Sequence, residues 1–447
     1  MLHYRSMPTY MAQNAPTALK PATYEARLAA LKSAAGCDWV VVYGDREHAA
    51  DITFLSNFDP RFEEAILVLG ATNHIIVGNE GLGYVPMLGT QFTVHLSQSL
   101  GLMGQDRTRN PRLSAVLHTI GVRAGQRVGV VGWKYLEPIE QDDDQPAYVP
   151  AMLLRAIQSA AGGDVTVRDV THCMSHPVHG LRAHNEAAQI AIFAWGAQRA
   201  ALAVDRIVRG VRPGMSEHQA LALMQYEGDP MTCHPMMSGD PKQVLGLRSP
   251  SPRLLQMRDA VTTAIGFRGG LCCRAGVLSD TVDSSYFTNY VEPYMQTQML
   301  WYESLHIGMS GGEIHRRVMQ RLATAPFKPS LNPGHLGSID EWSHTPIRPD
   351  SDDPIRSGQL IQCDIIPDTT PAGTALNCED TVAIADATLR AEIAALAPDL
   401  WQAIKARREY LRTAIGIILP EEVLPLSLAN ARYAPAWLQP DLVWVKE

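Results

Sequence analysis

Short apolar runs alternating with segments of helical periodicity restrict this chain to a mixed α/β architecture. DWVVVYG at 38–44 is too short for a buried helix and is closed by a glycine; it follows YEARLAALKSA, whose apolar residues recur at helical spacing. EEAILVLG and NHIIVGNEG add two strands joined by polar turn residues, and GQRVGVVGW and VTVRDV continue the helix-then-strand pattern. Residues 1–178 therefore read as one α/β domain. The acidic stretch QDDDQP at 141–146 reads as a solvated loop within it.

Composition narrows the partners. A formal charge of −8 over 447 residues offers no basic footprint for nucleic acid. No apolar run approaches a membrane span, and the first residues lack the apolar core of a signal peptide. The expectation is a cytoplasmic protein that meets a small molecule rather than nucleic acid or a membrane. The seven cysteines are dispersed without CxxC spacing, which fits free thiols better than a disulfide framework or a thiolate zinc site.

The pattern changes near HCMSHPVHGLRAHNEAAQ, and residues 179–447 read as a second domain. His176, His179 and His184 fit no common zinc spacing, so this stretch reads as a linker. Beyond it, Ala187, Ile190, Ala191, Ala194, Ala197, Ala201, Leu202 and Val204 mark the packing face of a long helix. Pro213 and Gly214 break that helix, and Ser216 can cap the next. LHIGMSGGEIHRRVMQRL repeats the helix, Gly-Met-Ser turn and helix, an echo suggesting two related halves.

NPGHLGSIDEWSHTP at 332–346 supplies His335 directly after Gly334 and His344 nine residues later, a pair suited to metal binding or to proton transfer. Asp364 in LIQCDIIP and Glu379 in NCEDTVAI interrupt apolar strand segments. Burying them without partners is costly, so they are expected to face a polar pocket, bind a cationic group or pair with arginine.

The RPGMSE turn, the Ser-Gly at 238–239, Gly334-His335 and NCEDTVAI, in that order, resemble the landmarks of the creatinase and aminopeptidase P family. YGDREHAADITFLSNFDPRFEEAILVL resembles the same family's amino-terminal domain. The resemblance implies a pita-bread catalytic domain (α+β) preceded by a smaller α/β domain, and a homodimer. It also implies a two-cation site built from two Asp, one His and two Glu in the peptidase members. Here the two Asp positions fall on Ala264 and Ala275, while His335, Asp364 and Glu379 stand at the other three. Two dications held close together need several anionic oxygens. The expectation is accordingly no metal or other cofactor, as in creatinase, with His335 as proton relay and Asp364 and Glu379 beside it.

A further family histidine position falls on Leu247, so creatine itself is not the expected substrate. His344, Arg268, Arg274 and Arg46 are the expected substrate-binding residues: Arg268 and Arg274 as holders of a carboxylate, and Arg46, as the resemblance implies for a dimer, directed toward the partner's pocket. Cys272, Cys273 and the Cys233-His234 pair read as structural. The function expected is metal-independent hydrolysis of a non-peptide C–N bond in a small polar compound. The alternatives are an Xaa-Pro type metallopeptidase with an irregular site and a catalytically silent pita-bread binding protein. The tail from 387 onward is expected to cover either the pocket or a neighbouring subunit.

Overall fold

The computed structural model describes residues 1–8, 10–105, 107–108, 111–141 and 147–446. The stretch read as an acidic loop lies, apart from Gln141, outside the described residues. Two compact units form, one from Leu19 to Ala183 and one that joins Met1–Ala18 to His184–Glu447. The first 18 residues, read from sequence with the amino-terminal domain, pack with the second unit. The reason is a pairing between the chain ends: β1 (Leu2–Tyr4) runs antiparallel to Leu442–Trp444, and the Ala12 amide donates to Gln198 Oε1 at 3.1 Å. No local pattern announces such a contact.

The unit Leu19–Ala183 is built on a six-stranded mixed sheet of β2 (Trp39–Gly44), β3 (Ala65–Leu69), β4 (Asn73–Val77), β5 (Thr93–Leu96), β6 (Arg127–Val131) and β7 (Thr166–Asp169), in the order β5-β4-β3-β2-β6-β7. Central β2 is buried along its whole length. Complete burial of Val40, Val41 and Val42 contributes about 1.5–3 kcal/mol each. The five segments read as strands from sequence all form; the edge strand β5 is not among them.

The second unit carries an antiparallel seven-stranded sheet of β8 (Met236–Asp240), β9 (Ala260–Phe267), β10 (Gly270–Val277), β11 (His335–Leu336), β12 (Leu360–Cys363), β13 (Asn377–Ile384) and β14 (Val423–Pro425). Its order is β11-β12-β13-β10-β9-β8, with β14 paired to β13. The last strand, β15 (Leu442–Trp444), holds β1. The long helix spans Ala187–Gly210 and buries Ile190, Ala194, Ala197 and Val204 of the expected stripe, with Leu202 half-buried. It approaches the β9–β10 turn so closely that a Cβ on Gly196 would lie 2.1 Å from the Arg268 carbonyl oxygen.

Both Gly-Met-Ser turns do what their sequence suggests. Ser216 accepts from the Gln219 amide at 3.1 Å and Ser310 from the Glu313 amide at 3.2 Å, each capping a helix. The tail packs inside its own unit. Leu424, Leu426, Tyr433 and Trp437 are buried, and Arg432 and Ala429 offer carbonyls to Arg274. Among the described residues, no helix is long and apolar enough to cross a membrane.

Candidate active site

The chemistry-bearing residues of the second unit meet in a cavity of about 700 Å³. Strand alternation decides which side chains reach it, because successive residues point to opposite faces of a sheet. On β10, Leu271, Cys273 and Ala275 line the cavity, as do Thr262 and Ala264 on β9 and Asn377 and Glu379 on β13. The register pairs Cys273 with Ala264, Ala275 with Thr262 and Cys273 with Glu379, so these side chains share one face.

His335 is delivered by β11, paired to Gln362 of β12, directly after Gly334 at φ 125°. A Cβ on Gly334 would lie 2.9 Å from the Gln362 carbonyl oxygen and 3.0 Å from the Trp301 ring, so glycine is required by both conformation and space. Thr345 Oγ1 donates to the Gly334 carbonyl at 2.6 Å, and Trp301 Nε1 to that of Pro333 at 2.6 Å, fixing the turn from both sides.

Three carboxylates surround the imidazole. His335 Nε2 lies 3.2 Å from Glu341 Oε1, 3.7 Å from Glu379 Oε1 and 3.9 Å from Asp364 Oδ2. Donor atoms of His335, Asp364 and Glu379 all fall within 4.8 Å of one another, and all three residues are buried. Gln362 orients Glu379 by donating to its Oε1 at 3.2 Å and to the Leu271 carbonyl at 3.0 Å, while the Thr381 hydroxyl donates to Gln362 Oε1. Among the described residues, none offers a hydrogen bond to the buried Asp364 Oδ1.

Burial and mutual repulsion set the charges. Desolvation pushes the Asp364 carboxyl up to about 6, against the pull of His335. Glu379 is raised well above the usual carboxylate range, first by desolvation and then by Asp364. Burial alone opposes a charged imidazole, but the carboxylates, Glu341 foremost, overcome it and hold His335 well above its ordinary value. The cluster can therefore hold and exchange protons near neutrality, or take a cation.

The remaining expectations divide. Arg274 is on the β10 face opposite the cavity, where its guanidinium pairs with buried Asp380 at 2.8 Å and donates to backbone carbonyls of Arg432, Ala429 and Glu379. Its side chain does not line the cavity, because one step along a strand reverses the face. Arg268 sits in the β9–β10 turn and does not line the cavity. His344 does not line it either; its carbonyl accepts from the Leu336 amide at 2.7 Å, and Nδ1 accepts from the Thr345 amide at 2.9 Å, bracing the His335 turn. Arg46 belongs to the Leu19–Ala183 unit, is exposed, and pairs with Glu47 at 2.9 Å.

Cys233 lines the cavity, but burial and the nearby Glu341 and Glu379 charges push its thiol up to about 12, and His234 directs Nε2 to the Leu247 carbonyl at 2.9 Å. The two form no nucleophilic dyad. Asp283 is committed to capping the Tyr286 amide at 2.8 Å and Asp280 is exposed, so neither lines the cavity in place of the missing carboxylates. Sequence reasoning missed Glu341, Gln362 and Thr345. Glu341 stands between the two histidines of the 332–346 stretch, and an acidic residue between two candidate ligands was the available signal.

No protein-family model matches the chain, and no curated protein does. Solved structures do. The prolidase from Pyrococcus horikoshii OT3 is 13% identical, with a TM-score of 0.63 over 80% of this chain and 95% of that one. An X-Pro aminopeptidase from Thermotoga maritima MSB8 is 15% identical, with a TM-score of 0.62 over 81% and 95%. An Xaa-Pro dipeptidase from Bacillus anthracis is 15% identical, with a TM-score of 0.57 over 80% and 94%. This chain has their fold, the pita-bread architecture expected from the resemblance, with a smaller α/β domain ahead of it.

Proposed function

We propose that this chain hydrolyses the C–N bond of a small peptide-like amide at the His335–Asp364–Glu379 cluster, with at most one divalent cation held there. The supporting observation is the meeting of three buried donors within 4.8 Å at a cavity large enough for a small substrate. The names of the structural neighbours, prolidase and Xaa-Pro dipeptidase, favour a peptide-like amide over the non-peptide compound expected from sequence.

The donor set does not fit two cations, since Ala264, Ala275, Thr262 and Cys273 offer no carboxylate on the wall beside Glu379. It fits one: an imidazole nitrogen and carboxylate oxygens converge, and Asp364 Oδ1 is unsatisfied. When bound, such an ion polarises a carbonyl and lowers the pKa of a water. Around it, Gln362 fixes Glu379, and Glu341 lies on the cavity wall with a quarter of its side chain exposed, placed to accept a proton and return it to the departing nitrogen. The 3.2 Å contact between His335 Nε2 and Glu341 also favours a second reading, in which imidazole and carboxylate relay the proton with no ion present.

Metal analysis of the purified protein, with hydrolysis of an Xaa-Pro dipeptide and peptide-amide panel before and after chelation, tests this. One equivalent of metal with chelator-sensitive hydrolysis is expected. Metal-free, chelator-resistant hydrolysis selects the proton relay. Two equivalents, or no hydrolysis of any amide, overturns the proposal, the latter in favour of a silent binding protein.

A further inference from the structure

The sheet face that lines the cavity is polar at one end of a row and apolar along the rest. Strand pairing sets Met236 of β8 beside Ala264 of β9, Ala264 beside Cys273 of β10, and Cys273 beside Glu379 of β13. All four line the cavity, so they form one row across four strands, with a carboxylate at one end and only thiol, methyl and thioether groups beyond it. Neighbouring strands lie about 4.8 Å apart, which makes the row roughly 14 Å long.

The described residues that β8, β9 and β10 bring to the cavity are Met236, Thr262, Ala264, Leu271, Cys273 and Ala275, and none of them is charged. The polar atoms beside the row are turned to one another. Asn377 Nδ2 donates to Cys273 Sγ at 3.4 Å, and Thr262 Oγ1 lies 3.9 Å from the same sulfur. Met236, Ala264, Leu271 and Cys273 pack as one apolar cluster, with Cys233 against it. A buried free thiol in such a cluster acts as a small hydrophobe. A polar group laid on this row would lose its water without gaining a side-chain partner, whereas a hydrocarbon chain would be stabilised by burial along its whole length.

We infer that this row seats an unbranched hydrocarbon chain attached to the carbonyl that meets His335, so that the acyl half of the substrate amide is aliphatic. The inference rests on the amide hydrolysis proposed at the His335–Asp364–Glu379 cluster. Ala264, whose methyl group leaves the donor set without a carboxylate at its position, is then also the residue that opens the row to a chain.

Calorimetric titration of the full-length protein with 2-butanone, 2-hexanone and 2-octanone tests this without turnover, because a methyl ketone carries the carbonyl with no bond to nitrogen. Affinity is expected to rise about three- to fourfold with each added methylene. The hydroxyl-ended 8-hydroxy-2-octanone is expected to bind about tenfold more weakly than 2-octanone. Ala264→Asn, and Met236→Gln at the far end of the row, are each expected to weaken 2-octanone at least about fivefold and to narrow its lead over 2-butanone. Affinity that does not grow with chain length, a hydroxyl-ended ketone that binds as tightly as 2-octanone, or folded variants that bind 2-octanone like wild type would each overturn the inference. The ketone series on the unmodified protein decides the matter even if neither variant folds. Chain-length-dependent binding in a protein that cleaves no amide would leave the hydrocarbon seat standing while removing the proposed reaction.

Discussion

Asp364 places Oδ2 3.9 Å from His335 Nε2 while its other carboxylate oxygen is buried and unpartnered. The residue is thus half-satisfied by the histidine and half-available to a ligand, an arrangement that costs stability when the cavity is empty.

That cost has a pH signature. The folded carboxyl is pushed up to about 6 from an ordinary value of 3.8, so between these values the folded, metal-stripped protein binds more protons than the unfolded chain. Its stability should therefore fall as pH rises through this window and stay lower above it. Asp364→Asn removes the loss. Thermal denaturation of the chelated proteins should show the variant melting a few degrees above wild type at pH 7.5 and level with it near pH 4, with amide hydrolysis down by at least about a hundredfold. A variant less stable at pH 7.5 would contradict this.

Gly334 is the hinge on which the His335 position depends. Gly334→Ala forces a side chain into positive φ and against the Gln362 carbonyl and Trp301. A loss of about 2 kcal/mol is expected in urea denaturation. The same variant should lower kcat by tenfold or more, because the imidazole is moved away from Glu341 and Glu379.

What could be read from sequence follows the range of the forces involved. The Ser216 and Ser310 caps and the β2–β4 runs depend on neighbours a few residues away, and they form as read. Asp364 and Glu379 stood out because carboxylates in apolar strands need a reason. Arg274 was misplaced because the side it takes is set by β10–β13 register, invisible without the partner strand. Glu341 lies outside the regular strands and helices, with no periodicity to mark it. The pairing of β1 with β15 joins residues more than four hundred positions apart, so the first residues were assigned to the wrong unit.

Arg274 and Asp380 should behave as a structural pair. Arg274→Met leaves a fully buried carboxylate facing Cys272 and Cys378, and a loss of about 3–5 kcal/mol is expected. Asp380→Asn in the same chain should recover part of that loss, giving a coupling energy above about 1 kcal/mol in a double-mutant cycle. If Arg274 instead held substrate, Arg274→Met would raise KM with stability intact, and no coupling to Asp380 would be measured.

The two alanines on the cavity wall give the most direct test of why the donor set stops at three. Ala264 and Ala275 are on the face shared with Glu379, and both line the 700 Å³ cavity. Ala264→Asp with Ala275→Asp supplies two carboxylates on the face that already carries Glu379, which is the anionic charge a second divalent ion requires. Without metal the double variant should be less stable than wild type by a few kcal/mol, since two more charges are desolvated beside Asp364 and Glu379. With manganese or zinc added, that deficit should close, and bound metal measured after gel filtration should rise from one equivalent to two. A wild-type chain that already binds two equivalents, or a double variant whose stability ignores added metal, would show that the wall does not control occupancy.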